Sequence, residues 1–123
     1  MAIATSILKL HLQYRLLISE MNADINVLRI FEDYLQEILS SKYKSEIKKR
    51  VEYFKSNFIQ LRKEIDDLRD EMHKKKMKLF LLSKENTVLD SKSFKADNHK
   101  EILKQFKAYR KKFDKIKKEF TRF

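Results

Sequence analysis

The sequence predicts an all-α protein, an antiparallel three-helix coiled-coil-like bundle with long helices. Apolar residues recur at alternating spacings of three and four along most of the chain, as in helices that pack along one seam. The 123 residues include no glycine and no proline, so the tight turns that join short strands are disfavoured. The length predicts one domain, residues 1–123.

Three apolar seams define the predicted helices. Helix one, residues 6–39, carries Ile7, Leu10, Tyr14, Leu17, Met21, Leu28, Phe31, Leu35 and Ile38, with Asp24 in the one polar position. Helix two, residues 44–83, carries Ile47, Val51, Phe54, Phe58, Leu61, Ile65, Leu68, Met72, Leu79 and Leu82, with Lys75 as the polar member. Helix three, residues 98–122, carries Ile102, Phe106, Tyr109, Phe113, Ile116, Phe120 and the adjoining Phe123.

The phase of the seams separates them into three helices. Continuing the first seam past Ile38 predicts apolar residues where Lys42, Ser45 and Lys49 stand, so one continuous rod is excluded. Residues 83–97 have the polar composition of a second connection. Connections this short make neighbouring helices antiparallel.

Helix three is the shortest, so the end of the bundle beside the first turn is predicted to contain only two helices. Apolar seam residues exposed there would form a partner surface for another protein or a second copy of the chain. The residues concerned are Phe31, Leu35, Ile38, Ile47 and Val51. A homodimer formed through helix one and this end is one form of the prediction.

Helix one also has apolar residues outside its seam. Leu8, Leu12, Leu16 and Ile18 widen its apolar face over residues 7–21, which indicates burial against two neighbouring helices or a dimer partner.

Asp24 interrupts the first seam, and a charge in that position costs stability unless it is paired or reaches water. Projection along antiparallel helices places it level with Arg62 and Lys115, which predicts a buried or half-buried ion pair that sets the helix register. Leucine at this position would then be tolerated or stabilising. A ligand contact and a solvent-reaching side chain are the alternatives.

The charge is unevenly distributed. The chain has a formal net charge of +11, yet residues 1–41 contain three basic and five acidic side chains, whereas residues 97–123 contain ten and four. The candidate phosphate contacts are Lys104, Lys107, Arg110, Lys111, Lys115 and Lys118. The alternative is a solvated lysine-rich face, because Lys far outnumbers Arg, the residue that binds phosphate in bidentate fashion.

An anionic membrane surface is disfavoured, because the wide apolar face of helix one lacks a basic flank.

Several classes of protein are disfavoured. Without glycine, phosphate-cradling loops and nucleophile elbows are unfavourable, and without cysteine there is no disulfide, thiolate metal site or cysteine nucleophile. No Glu-x-x-His motif occurs, and His11, His73 and His99 do not converge on one face, so we predict no catalytic, cofactor or metal site and no small-molecule substrate. The lack of cysteine and of an evident leader favours the cytoplasm.

Three short segments carry a resemblance to other proteins. Leu16-Leu17-Ile18-Ser19-Glu20-Met21, Ile65-Asp66-Asp67-Leu68-Arg69-Asp70 and Glu119-Phe120-Thr121-Arg122-Phe123 resemble a group of small helical-bundle proteins of Bacteroidetes. The group carries a Glu-His pair early in helix one and a histidine after the Ile-Asp-x-Leu stretch. Gln13-Tyr14 and Asp70 stand at these places in this chain. The resemblance implies a helical fold and implies no function.

We therefore expect a non-enzymatic structural or protein-interaction bundle. The alternative is nonspecific nucleic-acid binding through the basic faces of helices two and three, and a helical-bundle metalloenzyme is the third hypothesis.

Overall fold

A computed structural model describes residues 2–40, 44–85 and 99–123. These residues form three helices, α1 (Ala2–Leu39), α2 (Lys44–Glu85) and α3 (His99–Thr121), and no strand occurs among them. The all-α, three-helix prediction is confirmed. The predicted connections fall largely on residues 41–43 and 86–98, which lie outside the described residues.

The C-terminal end of α1 is closed without glycine. The Ser40 backbone N–H donates to the Gln36 carbonyl oxygen at 3.1 Å, and the Ser40 hydroxyl donates to the same oxygen at 3.0 Å. The helix therefore satisfies one of its last free carbonyl groups with a serine, where glycine often provides the cap.

Ring contacts show that α1 and α2 are antiparallel. Phe31, late in α1, lies 5.8 Å from Phe58 between ring centroids, and His11, early in α1, lies 6.3 Å from Phe80. The order of contacts along α2 is the reverse of the order along α1.

Side-chain bonds give the direction of α3 in the same way. Tyr53 of α2 donates to Glu119 at 2.8 Å, while Lys112 of α3 donates to Glu64 of α2 at 2.8 Å. Because the later residue of α2 meets the earlier residue of α3, these two helices are also antiparallel.

The three predicted seams face one another. Every predicted apolar seam residue whose side chain is described is buried or half-buried, and Ile18 joins the core from outside the seam. Phe58 is only 1% exposed, and its ring lies 5.1 Å from that of Phe120 on α3. The heptad spacing thus accounts for the core of the bundle.

Candidate functional site

Asp24 is the buried polar residue among the core positions that the structure describes, and it is 6% exposed. Its carboxylate accepts a hydrogen bond from the Tyr109 hydroxyl at 2.7 Å and bonds from both terminal nitrogens of Arg110 at 3.2 and 2.6 Å. Arg110 also pairs with Glu20 at 2.9 Å. This polar network joins α1 to α3, and contacts of Tyr14 with His99 nearer the start of both helices show that the two run parallel.

The pKa shifts of Tyr109 and Arg110 keep both side chains as hydrogen-bond donors to Asp24. Burial raises the pKa of Tyr109, and the hydrogen bond to Asp24 raises it further. Burial alone would lower the pKa of Arg110, but the hydrogen bond to Asp24 and the charges of Asp24 and Glu20 outweigh it and raise that pKa. The Arg110 guanidinium also lies 5.3 Å from the ring centroid of Phe113, within range of a cation–π contact.

The ion pair at Asp24 has a different partner from the predicted ones. Arg62 instead donates to Glu32 at 2.7 Å, and Lys115 is exposed on α3. The sequence-based alignment of the antiparallel helices placed Asp24 beside Arg62. In the structure Glu32 lies beside Arg62, so the axial register of α1 and α2 differs from the predicted one. Sequence patterning located the charged seam position but not the arginine that neutralises it.

The two-helix end is more enclosed than the sequence predicts. Leu35 and Val51 are 4% and 2% exposed, and the other three residues of the predicted partner surface, Phe31, Ile38 and Ile47, are half-buried. The exposed apolar patch predicted at this end is therefore corrected to a largely closed one.

Aromatic residues at the end of α3 provide part of this cover. Phe120 lies 4.6 Å from Phe31 and 5.0 Å from Phe54 between ring centroids. Phe123 lies 5.2 Å from Phe54, and the Arg50 guanidinium lies 4.5 Å above the Phe123 ring. Because aromatic side chains reach far from the helix axis, the short α3 covers more of the seam than its length suggests.

The large apolar residues that the structure leaves exposed lie partly on α1 and partly on α2, where they are Tyr53, Ile59, Met77, Phe80 and Leu81. On α1, five large apolar residues are about half or more exposed: Leu8 57%, Leu12 51%, Leu16 61%, Ile30 65% and Tyr34 48%. The sequence predicts burial against neighbouring helices or a dimer partner for Leu8, Leu12, Leu16 and Ile18. Ile18 is buried within the bundle, but burial by neighbouring helices is wrong for the three leucines.

We call the exposed side of α1 formed by Leu8, Leu12, Leu16, Ser19, Ala23, Asn26, Ile30 and Tyr34 the outer α1 face. At its end, the Tyr34 ring also contacts the Phe120 ring of α3 at 5.9 Å between centroids.

The basic side of α3 is the second extended surface. Five of the six predicted phosphate contacts are exposed along one side of the helix, opposite its core residues: Lys104, Lys107, Lys111, Lys115 and Lys118. The sixth, Arg110, is only half-buried, but two carboxylates on α1 engage its guanidinium. We call the five lysines the α3 lysine row, and Arg110 is not part of it.

The groove between α2 and α3 has the opposite charge. It has a volume of ≈ 580 Å³ and is lined by four acidic residues, Glu64, Asp67, Asp70 and Glu71, with Lys74 beside them. Lys74 pairs with Asp70 at 3.0 Å. An anionic ligand would be repelled from this groove, so among the described residues the exposed basic side chains on the outer surfaces of α2 and α3 are the candidates for phosphate binding.

His11 and His99 lie near the starts of α1 and α3, and His73 is exposed on α2. The Tyr14 hydroxyl and His99 Nδ1 are 2.9 Å apart, and His11 is in ring contact with Phe80. Burial lowers the pKa of both His11 and His99, and it raises the pKa of Tyr14 to about 12. Over the described ranges, no group of three potential ligands lies close enough to hold a metal ion.

Comparisons with known proteins add no relative. No family model, curated protein or solved structure matches this chain. Of the three helices, as far as they are described, none combines the length and apolar character that a membrane span needs. The exposed surfaces of the molecule are therefore the basis for the proposed function.

Proposed function

We propose that the protein is a non-enzymatic interaction module that binds a protein partner through the outer α1 face. The observation that supports it is the exposure of Leu12, Leu16 and Ile30 on a helix that already buries a complete seam on its opposite side. Apolar residues aligned on one exposed face are typical of contact surfaces rather than of scattered surface positions. The lack of cysteine also supports a cytoplasmic location, which belongs to the same proposal.

The charge distribution along the chain also supports the outer α1 face as the binding surface. Residues 1–41 carry three basic and five acidic side chains, in a chain whose net charge is +11. Protein interfaces are depleted in charge at their centre, and α1 is the helix best suited to that requirement.

A pull-down with matched variants tests this proposal. We expect the tagged full chain to retain a specific protein from an extract of its native cells, and we expect Leu16→Glu to lose that protein. Ile59→Glu is the control, because Ile59 is 60% exposed on α2 and lies outside the outer α1 face. Retention of the same proteins by Leu16→Glu and by the wild type, with both chains equally helical, would contradict the proposal.

Nonspecific nucleic-acid binding is the second candidate, and the α3 lysine row is the observation that favours it. Its five members follow one another at spacings of three or four residues, from Lys104 to Lys118, over about 21 Å of helix. Such a row can follow a phosphate backbone, which attracts lysine without regard to base sequence.

Salt titration tests this candidate. Binding to labelled duplex DNA is expected to weaken linearly in log salt, and the triple variant Lys107→Gln, Lys111→Gln, Lys115→Gln is expected to reduce the slope by roughly 0.9 for each phosphate that the variant no longer neutralises. The control removes three exposed α2 lysines, Lys48, Lys49 and Lys63, in the same way. Equal reductions of affinity in both triple variants would show a response to net charge alone and would exclude a role for the row.

A further inference from the structure

The outer α1 face contains a heptad seam of its own. Leu12, Leu16, Ser19, Ala23, Asn26 and Ile30 follow one another at alternating spacings of four and three, and all six are exposed. This is the spacing by which one helix packs along another. The contacts of α1 with α2 and α3 use the core seam on the opposite side of the helix, so they do not account for this second row. Three of the six, Leu12, Leu16 and Ile30, are large and apolar, so this second row of positions is suited to contact with a helix outside the chain.

The order of small and large residues along this second seam favours an antiparallel copy of the same helix as its partner. Its middle consists of the small residues Ser19 and Ala23, and its large apolar residues lie toward the two ends. When two such helices run antiparallel, small residues face small residues at the centre, and Leu12 of one helix faces Ile30 of the other. The intermediate layer pairs Leu16 of one helix with Asn26 of the other. The small residues at the centre allow the two helices to approach closely there.

The charges at the ends of the seam favour an antiparallel over a parallel arrangement of the two α1 helices. Lys9 continues the same spacing at one end, and Asp33 and Glu37 continue it at the other, with all three exposed. A parallel pair would place each of these charges against its own copy, which is repulsive, whereas an antiparallel pair places Lys9 against Asp33 of the second copy. Arg15 and Arg29 lie to the side of the seam, where their long side chains extend into water.

We propose that two copies of the chain associate through the outer α1 face, antiparallel about a twofold axis that passes close to Ser19 and Ala23. This inference rests on the proposed function and names its partner. The contact keeps the basic surfaces of α2 and α3 apart, because the two α1 helices lie between them. The positive net charge of the chain lies entirely beyond residues 1–41, whose acidic side chains outnumber the basic ones. A twofold axis is the usual symmetry of such a self-complementary surface.

Association of the purified full chain is the first test. The wild type is expected to sediment as a dimer, and Leu16→Glu is expected to weaken association on the order of 100-fold, because each dimer would bury two unpaired charges and each tenfold loss corresponds to about 1.4 kcal/mol. Ile59→Glu is the matched control and should remain dimeric. A wild-type chain that stays monomeric over the whole concentration range overturns the inference.

Cross-linking tests the direction, since the chain has no cysteine of its own. A short bis-maleimide is expected to join Lys9→Cys to Asp33→Cys when the two variants are mixed, and to join neither variant to itself. Cross-linking of Lys9→Cys to itself would indicate a parallel pair and overturn the inference. A monomeric chain that still retains another protein in a Leu16-dependent manner would overturn the second copy as partner while leaving the proposed function intact.

Discussion

Replacing Asp24 by leucine is expected to lower the free energy of unfolding by about 2–3 kcal/mol. The substitution leaves the Arg110 guanidinium and the Tyr109 hydroxyl without their shared acceptor, and breaking a fully buried pair typically costs about 3–5 kcal/mol. We expect a smaller loss here because the Arg110 side chain retains 23% exposure and keeps its contact with Glu20. Chemical denaturation followed by far-ultraviolet circular dichroism measures the change.

Removal of the whole network is the informative control for Asp24. The triple variant Asp24→Leu, Tyr109→Phe, Arg110→Leu leaves no donor without an acceptor at this position, so its stability is expected to return to within about 1 kcal/mol of the wild type. From the sequence alone, leucine at position 24 is predicted to be tolerated or stabilising, because the charge is assumed only to set register. A single variant as stable as the wild type would support that simpler role and contradict the network.

The second large effect is expected for Phe58→Ala, at about 3–5 kcal/mol of lost stability. Phe58 is 1% exposed and touches the rings of Phe31, Phe54 and Phe120, so truncation removes apolar contacts with all three helices. The cavity left behind cannot close without moving one helix toward the others.

The adjacent residue provides the control for Phe58. Ile59 is 60% exposed, so Ile59→Ala is expected to change the free energy of unfolding by less than about 0.5 kcal/mol. Both variants are compared in the same denaturation experiment. A loss below about 1 kcal/mol for Phe58→Ala would show that the three helices do not enclose this position in solution.

Most of the fold could be predicted from heptad spacing, because that pattern is a property of each helix taken singly. The spacing located the seam of α3 from Ile102 to Phe120, all of whose predicted residues are buried. It also located Asp24 as a charge within the core. Helix ends were less well predicted, since α1 begins at Ala2 and α2 continues to Glu85, beyond the seam residues that mark them in sequence.

The candidate site could be predicted only in part. The apolar residues Leu8, Leu12 and Leu16 stand out in the sequence, but their pattern does not distinguish burial by α2 or α3 from exposure to a partner. Leu35 and Val51 show the opposite outcome, because they are apolar residues predicted to be exposed that other parts of the same chain bury. Coverage depends on where neighbouring helices lie, and spacing along one helix contains no information about that.

The sequence by itself determined the number of helices, their inward faces and the place of the buried charge, because these follow from local periodicity. Only the tertiary structure decided the axial register, which joins Asp24 to Arg110 and Arg62 to Glu32. Register depends on how the connections between helices set their relative height, and a shift of one or two turns leaves every seam facing inward while it exchanges the charged partners. For the same reason, only the packed molecule shows that the outer α1 face is left uncovered.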